Sequence, residues 1–271
     1  MRVWKHSTCH CLEETKMFKV LYADTRKLFF QRGLRECLAA VLLYITAYVA
    51  LIKLVLFFVG GELYADDVYT AYSGLAVFLI SGCTLIYTVS DYDDGCIRNK
   101  LISGAGRPAV FLSAVITGGT QAVLLCAAAF IESVILACIF TKGGLMTMTV
   151  AELADYWLIN TMACIAIAVF STMLIMILGG KKISYIVGIA LAVGYNIFSM
   201  EVNDKLYPAQ GSCSLSGFKL ALYNFYDSYI PYSYLSMRPH HSTLTYLIGA
   251  AGLIVSSVII GLVLFNRKEI Q

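Results

Sequence analysis

Charge is scarce in this chain. Only 14% of its 271 residues are Asp, Glu, Lys or Arg, where soluble domains carry about 25%. With 59% hydrophobic residues gathered in long blocks, that shortage excludes an ordinary soluble domain and points to membrane-spanning helices. The short alternating segments of a membrane β-barrel are missing. No phosphate-binding loop is present: "GGKK" at Gly179–Lys182 lacks the upstream glycine and is followed by Ile183. Neither H-E-x-x-H nor G-x-S-x-G occurs. Asp91, Asp93 and Asp94 mimic a metal-binding D-x-D, but no soluble catalytic domain accompanies them. The chain is therefore expected to be no enzyme and to hold no cofactor or metal of its own. Asn-x-Ser/Thr acceptors are absent, and no cleavable leader is expected, because the first apolar block follows a basic stretch and is long enough to stay in the membrane.

Cysteine is not scarce, with nine residues, yet no disulfide framework follows. Cys37, Cys83, Cys126, Cys138 and Cys164 lie in or beside apolar blocks, where they act as small hydrophobes. Only Cys213 falls in a long polar loop.

The apolar blocks predict an all-α integral membrane protein with six transmembrane helices. They run over approximately Cys37–Val59, Tyr72–Ser90, Pro108–Phe140, Asp155–Leu178, Ile183–Met200 and Thr243–Phe265. Basic residues orient them. The first 36 residues hold Arg2, Lys5, Lys16, Lys19, Arg26, Lys27, Arg32 and Arg35; Arg98, Lys100, Arg107, Lys181, Lys182, Arg267 and Lys268 share their side. The other side has only Lys142, Lys205, Lys219 and Arg238. Both termini are thus expected in the cytoplasm. The first outer loop, "GGELYADDVYTA", carries acids and no base, in agreement.

Residues 17–36 predict an amphipathic interfacial helix. Met17, Phe18, Leu21, Tyr22, Thr25, Leu28 and Phe29 share one face, while Lys19, Asp24, Arg26 and Lys27 lie elsewhere. Such a helix suits the inner headgroup layer; a cytosolic helix packed on a partner is the alternative. Residues 1–16 lack periodicity and read as a disordered or mis-called extension, with Met17 a plausible start. Their His6, Cys9, His10 and Cys11 are spaced too tightly for a Cys-x₂-Cys zinc site.

The long segment 201–242 is the only extended outer piece. It is crowded with Tyr223, Phe225, Tyr226, Tyr229, Tyr232 and Tyr234, which predicts an interfacial aromatic belt on surface or re-entrant helices. Lining of an exit path is the sharper reading. Two ionisable groups, Lys53 and Glu132, fall inside spans and need an inward face or a partner. They are expected to snorkel separately to the outer surface, with a mutual pair as the alternative.

The most polar interior stretch is "DYDDGCIRNKLISGAGRP", Asp91–Pro108. Asp94 is placed to N-cap a short helix, and Gly104 to stop it. Two turns of helix are not stable alone in water, so the piece needs a surface. The stretch, with the basic helix before it, resembles the membrane subunits of small six-span bacterial type-2 ABC exporters. The pattern shared is an acid, a glycine, a hydrophobic residue, Arg-Asn-Lys, an apolar pair and Ser-Gly. Cys96 departs from it, standing where a hydroxyl residue is common.

The resemblance implies the type-2 ABC exporter permease fold over residues 37–271, with a cytoplasmic coupling helix at 94–104. Asp94, Gly95, Ile97, Arg98, Asn99, Lys100, Leu101 and Gly104 would make the ATPase-coupling site. Ile97 and Leu101 are expected to fill a groove on the ATPase, with Arg98 and Lys100 meeting acids or the inner leaflet. Implied partners are a cytoplasmic ABC ATPase, which carries the ATP and Mg, a second permease copy (identical or a paralogue) and membrane lipid, with no nucleic acid. Implied cargo is a peptide, drug or lipid-like amphiphile moved out of the bacterial plasma membrane. A secondary transporter, or a sensor or immunity subunit on the same scaffold, are the competing readings; repeated halves and midplane carboxylates, which the first requires, are not seen.

Overall fold

A computed structural model describes residues 3–141, 148–179, 182–208, 213, 215–235 and 240–268, without side chains for 3–16 and 182. The described residues are helical throughout, with no strand. Helix α1 (Val3–Phe30) turns at Gln31 into α2 (Arg32–Val59). Then follow α3 (Ala65–Thr70), α4 (Ser73–Asp93), α5 (Cys96–Ile102), α6 (Arg107–Phe140), α7 (Val150–Leu178), α8 (Lys182–Leu206), α9 (Gly217–Tyr229), α10 (Pro231–Tyr234) and α11 (Thr243–Arg267). Six segments are long and apolar enough to cross a membrane: α2, α3 with α4, α6, α7, α8 and α11. The expected number of spans is met, each longer than its apolar block, by one residue in α6 and by ten in the α3–α4 segment. Residues 3–16, expected to be a disordered or mis-called extension, are described as the first part of α1, and the side chains of His6, Cys9, His10 and Cys11 lie outside the described set.

Burial ranks the spans. In α7 and in the α3–α4 segment, 61% of the most apolar window is buried, against 17–33% in the other four. These two form the centre of the bundle. Small and hydroxyl residues permit it: Ala163, Ala166, Ala168, Ser171 and Thr172 let α7 sit among its neighbours. Large apolar residues on α2, among them Leu43, Leu51, Phe57 and Phe58, stay exposed, as suits a lipid-facing or partner-facing surface.

One end of the bundle is tied together by cations at helix ends. Arg107, in the first turn of α6, donates at 2.8 Å to the carbonyls of Asn266 and Lys268, where α11 ends. Lys268 in turn donates to Met176 O on α7 at 3.2 Å, and Tyr92 reaches the same carbonyl at 3.0 Å. Free carbonyls at a helix C-terminus attract cations, so these residues satisfy groups no helix can satisfy itself.

At the opposite end, α9 and α10 form a turn that packs into the bundle. Tyr232 and Tyr234 are buried in the bundle, and Tyr232 stacks on Tyr195 of α8 at 4.6 Å. Ser199 contacts Tyr232 O at 3.0 Å and Tyr226 Oη at 3.1 Å, anchoring the turn. The aromatic segment thus divides: Phe225 and Tyr229 are exposed in the manner of a belt, while Tyr226, Tyr232 and Tyr234 fill the interior. Gly249 of α11 allows this approach, since a Cβ there would meet Tyr229 O at 2.4 Å. Backbone cannot yield as a side chain does, so Gly249→Ala is expected to cost about 1–3 kcal/mol. A lowered thermal midpoint in purified protein checks this; an unchanged midpoint would show that α9 moves aside freely.

Candidate functional site

The link between α4 and α6 builds one compact structure. Asp94 closes α4 rather than opening α5; the residue before α5 is Gly95, in the left-handed region at φ 67°, with no side-chain cap. This corrects the expected N-cap. Asp94 was suited to cap by type, but its carboxylate is drawn to Ser90 Oγ and Lys27 Nζ, both at 3.3 Å. The far end agrees with expectation. Gly104 adopts φ 85°, its N–H bonds Leu101 O at 3.0 Å, and Ala105 N–H bonds Lys100 O at 3.1 Å. That pair of bonds is the Schellman stop. A branched residue is strained there, so Gly104→Val is expected to cost about 1–2 kcal/mol and to raise protease sensitivity at the α5–α6 junction. Unchanged cleavage would show that the stop is dispensable.

The faces of α5 are not those its hydrophobicity suggests. Ile97 is 2% exposed and packs with Val110, Phe111 and Phe265, with Leu101 partly buried beside it. Ile97 therefore fills its own protein's core and is not free to enter a groove elsewhere. The outward ridge consists of Arg98, Asn99, Ile102 and Ser103, and Ile102, 73% exposed, is its apolar knob. Lys100 is also turned inward, toward α1.

There it joins an ion network. Lys100 Nζ lies 2.5 Å from Asp24 Oδ1 of α1 and 3.8 Å from Asp91 Oδ2 of α4. Lys27 Nζ lies 2.6 Å from Asp91 Oδ1 and 3.2 Å from Cys96 Sγ. Asp24 and Asp91 are each 2% exposed. Ser113 of α6 donates to Asp24 Oδ2 at 2.5 Å, and Tyr87 donates to the Asp24 carbonyl at 3.3 Å. Two buried carboxylates face two ammoniums, which is the condition under which buried charge is tolerated. Burial alone would lower the Lys27 pKa; the Asp91 carboxylate and Cys96 thiol overrule it and hold it above its ordinary value. The stability this contributes is complete below the ordinary lysine value of 10.5 and is lost as pH rises from there through the raised folded value. At physiological pH Lys27 is therefore charged.

The network joins α1, α4, α5 and α6 in one place. It gives α1 a role that its amphipathic pattern conceals. Asp24, Lys27 and Leu28 face the bundle, while Phe18, Tyr22, Phe29 and Phe30 remain exposed. Pattern-reading places Asp24 on a solvated face; the fold buries it. No family model matches the chain, and no curated protein matches it.

The two intramembrane charges lie apart from this site and from each other. Glu132 accepts from Thr46 Oγ1 at 2.6 Å, across the α2–α6 contact. Lys53 donates to Phe140 O at 3.2 Å. Glu132 thus finds a hydrogen-bond partner on the neighbouring helix. No group of three metal-ligating side chains occurs among the described residues. One pairing was invisible in the sequence: His241 Nε2 sits 3.0 Å from Asp227 Oδ2, which also accepts from Tyr207 Oη at 3.0 Å. No spacing rule connects these residues; the packing of the α9–α10 turn brings them together.

Proposed function

We propose that the chain is the membrane subunit of an ATP-driven type-2 ABC exporter, working with a separate cytoplasmic ATPase. The observation that carries this reading is α5: a seven-residue helix on a link between two spans, stopped at both ends by left-handed glycines and presenting Arg98, Asn99 and Ile102 outward. A helix this short persists only on a supporting surface, and the ion network with the Ile97 core supplies it. Force applied to the ridge would pass through Lys100 and Asp24 into α1, and through Asp91 into α4. In this reading α5 and both termini are cytoplasmic, two permease copies assemble with two ATPases in the plasma membrane, and ATP and Mg reside on the ATPase. The cargo is an amphipathic or hydrophobic molecule, consistent with spans that carry few charges.

Co-purification tests this. The chain, expressed with an ABC ATPase encoded beside it, should retain that ATPase through detergent extraction and stimulate ATP hydrolysis when cargo is added. A chain that inserts correctly but never retains an ATPase, while conducting solute down an ion gradient, would instead be a secondary transporter.

A further inference from the structure

At the end of the bundle remote from α5, a pocket of about 260 Å³ opens beside the end of α2. Lys53, Leu56, Phe57, Glu62, Leu63 and Phe140 line it. Lys53 lies six residues before the end of α2, hence about 9 Å along the axis from it. A lysine has three donors, and the one bond Lys53 makes among the described residues is to the Phe140 carbonyl. Glu62 is exposed at the rim and forms no ion pair among the described residues. A cation within a candidate span, an anion just past the end of that span and an apolar wall thus share one small cavity. Phe57 and Phe58, each 79% exposed, extend the apolar surface alongside it.

We propose that this pocket holds the headgroup of a membrane phospholipid bearing a primary ammonium, with its phosphate on Lys53 and its ammonium on Glu62. The order of charges matches such a lipid, whose phosphate lies deeper than its amine. The acyl chains would run along Phe57 and the exposed face of α2. Drug-sized ligands occupy roughly 300–1,000 Å³, so the cavity suits a headgroup rather than an entire amphiphile. The site stands apart from α5 and does not depend on the exporter reading.

Native mass spectrometry of the full-length chain, in mixed micelles with equal phosphatidylethanolamine and phosphatidylglycerol, tests it. The wild-type chain should retain phosphatidylethanolamine over phosphatidylglycerol by up to roughly fivefold, the ratio that ~1 kcal/mol of exposed ion pairing gives. Lys53→Met should cut retention of both lipids. Lys53→Arg, which keeps the cation, should preserve it and separates charge loss from misfolding. Glu62→Gln, at an exposed position, should lower phosphatidylethanolamine retention to that of phosphatidylglycerol and bring the ratio to one. Unchanged retention in Lys53→Met, or an unchanged ratio in Glu62→Gln, would overturn the proposal. Displacement of the lipid by an equal concentration of soluble phosphoethanolamine would do so too, since it would show a site for a free anion.

Discussion

Ile102→Asp should release the ATPase while leaving the membrane subunit folded and inserted. Ile102 is 73% exposed at the end of the α5 ridge, so the free protein loses no packing when it is replaced. Burying an isoleucine against a partner contributes roughly 1.5–3 kcal/mol, which is about ten- to a hundredfold in affinity. Aspartate removes that gain and adds the cost of desolvating a charge. Arg98→Ala, which removes an exposed charge, should matter less, since exposed pairs are worth about 0–1 kcal/mol. The measurements are a detergent pull-down of the ATPase and cargo-stimulated ATP hydrolysis. Ile97→Asp is the contrast: it puts a charge in the cluster of Phe111 and Phe265 and should unfold the link itself. An Ile102→Asp protein that keeps normal pull-down and hydrolysis would remove the main support for α5 as the coupling helix.

Lys100→Met should be strongly destabilising. It leaves Asp24 buried opposite no ammonium, and breaking a buried pair from one side costs about 3–5 kcal/mol. Asp24→Asn should be comparably harmful, because it leaves Lys100 with only the more distant Asp91 at 3.8 Å. The double variant Lys100→Met/Asp24→Asn should recover a large part of the loss, since it leaves no uncompensated charge. Thermal unfolding of the three proteins in one detergent reads this directly. If the two single effects simply add in the double variant, the residues do not interact and the network is not one unit. A second measurement links stability to mechanism: in the double variant, assembly with the ATPase should survive at low temperature while cargo stimulation falls, because the side-chain link of α5 to α1 is reduced to the Lys27–Cys96 contact.

The spans and the α5 link were legible because each follows from local rules. Blocks of apolar residues long enough to cross a bilayer are read off directly, and Gly104 stops a helix wherever the chain takes it. The orientation of α5 was not legible. Ile97 and Leu101, four apart, look like a docking stripe, but a helix tethered between two spans turns its apolar side to its own bundle first. Lys100 followed for the same reason, since its partner Asp24 lies far away in sequence and on a helix whose polar face reads as solvated. Asp94 illustrates competition: a good capping residue gave up the cap when a lysine came within reach. The burial of Tyr232 and Tyr234, and the meeting of His241 with Asp227, depend on a turn that composition alone marks only as aromatic.

That turn bears on how the chain is made. Hydrophobicity alone sends a 25-residue helix such as α11 into the bilayer as it leaves the ribosome, but α9 and α10, of 13 and 4 residues, are each too short to cross it. Their polar groups are met by Ser199 of α8, and their close fit needs Gly249 of α11. The fit of α9 against α11 therefore cannot be completed until α11 has been made, which makes its docking a late step. A ribosome-bound chain arrested before α11 would have five spans in place and this segment still open to labelling from the aqueous side.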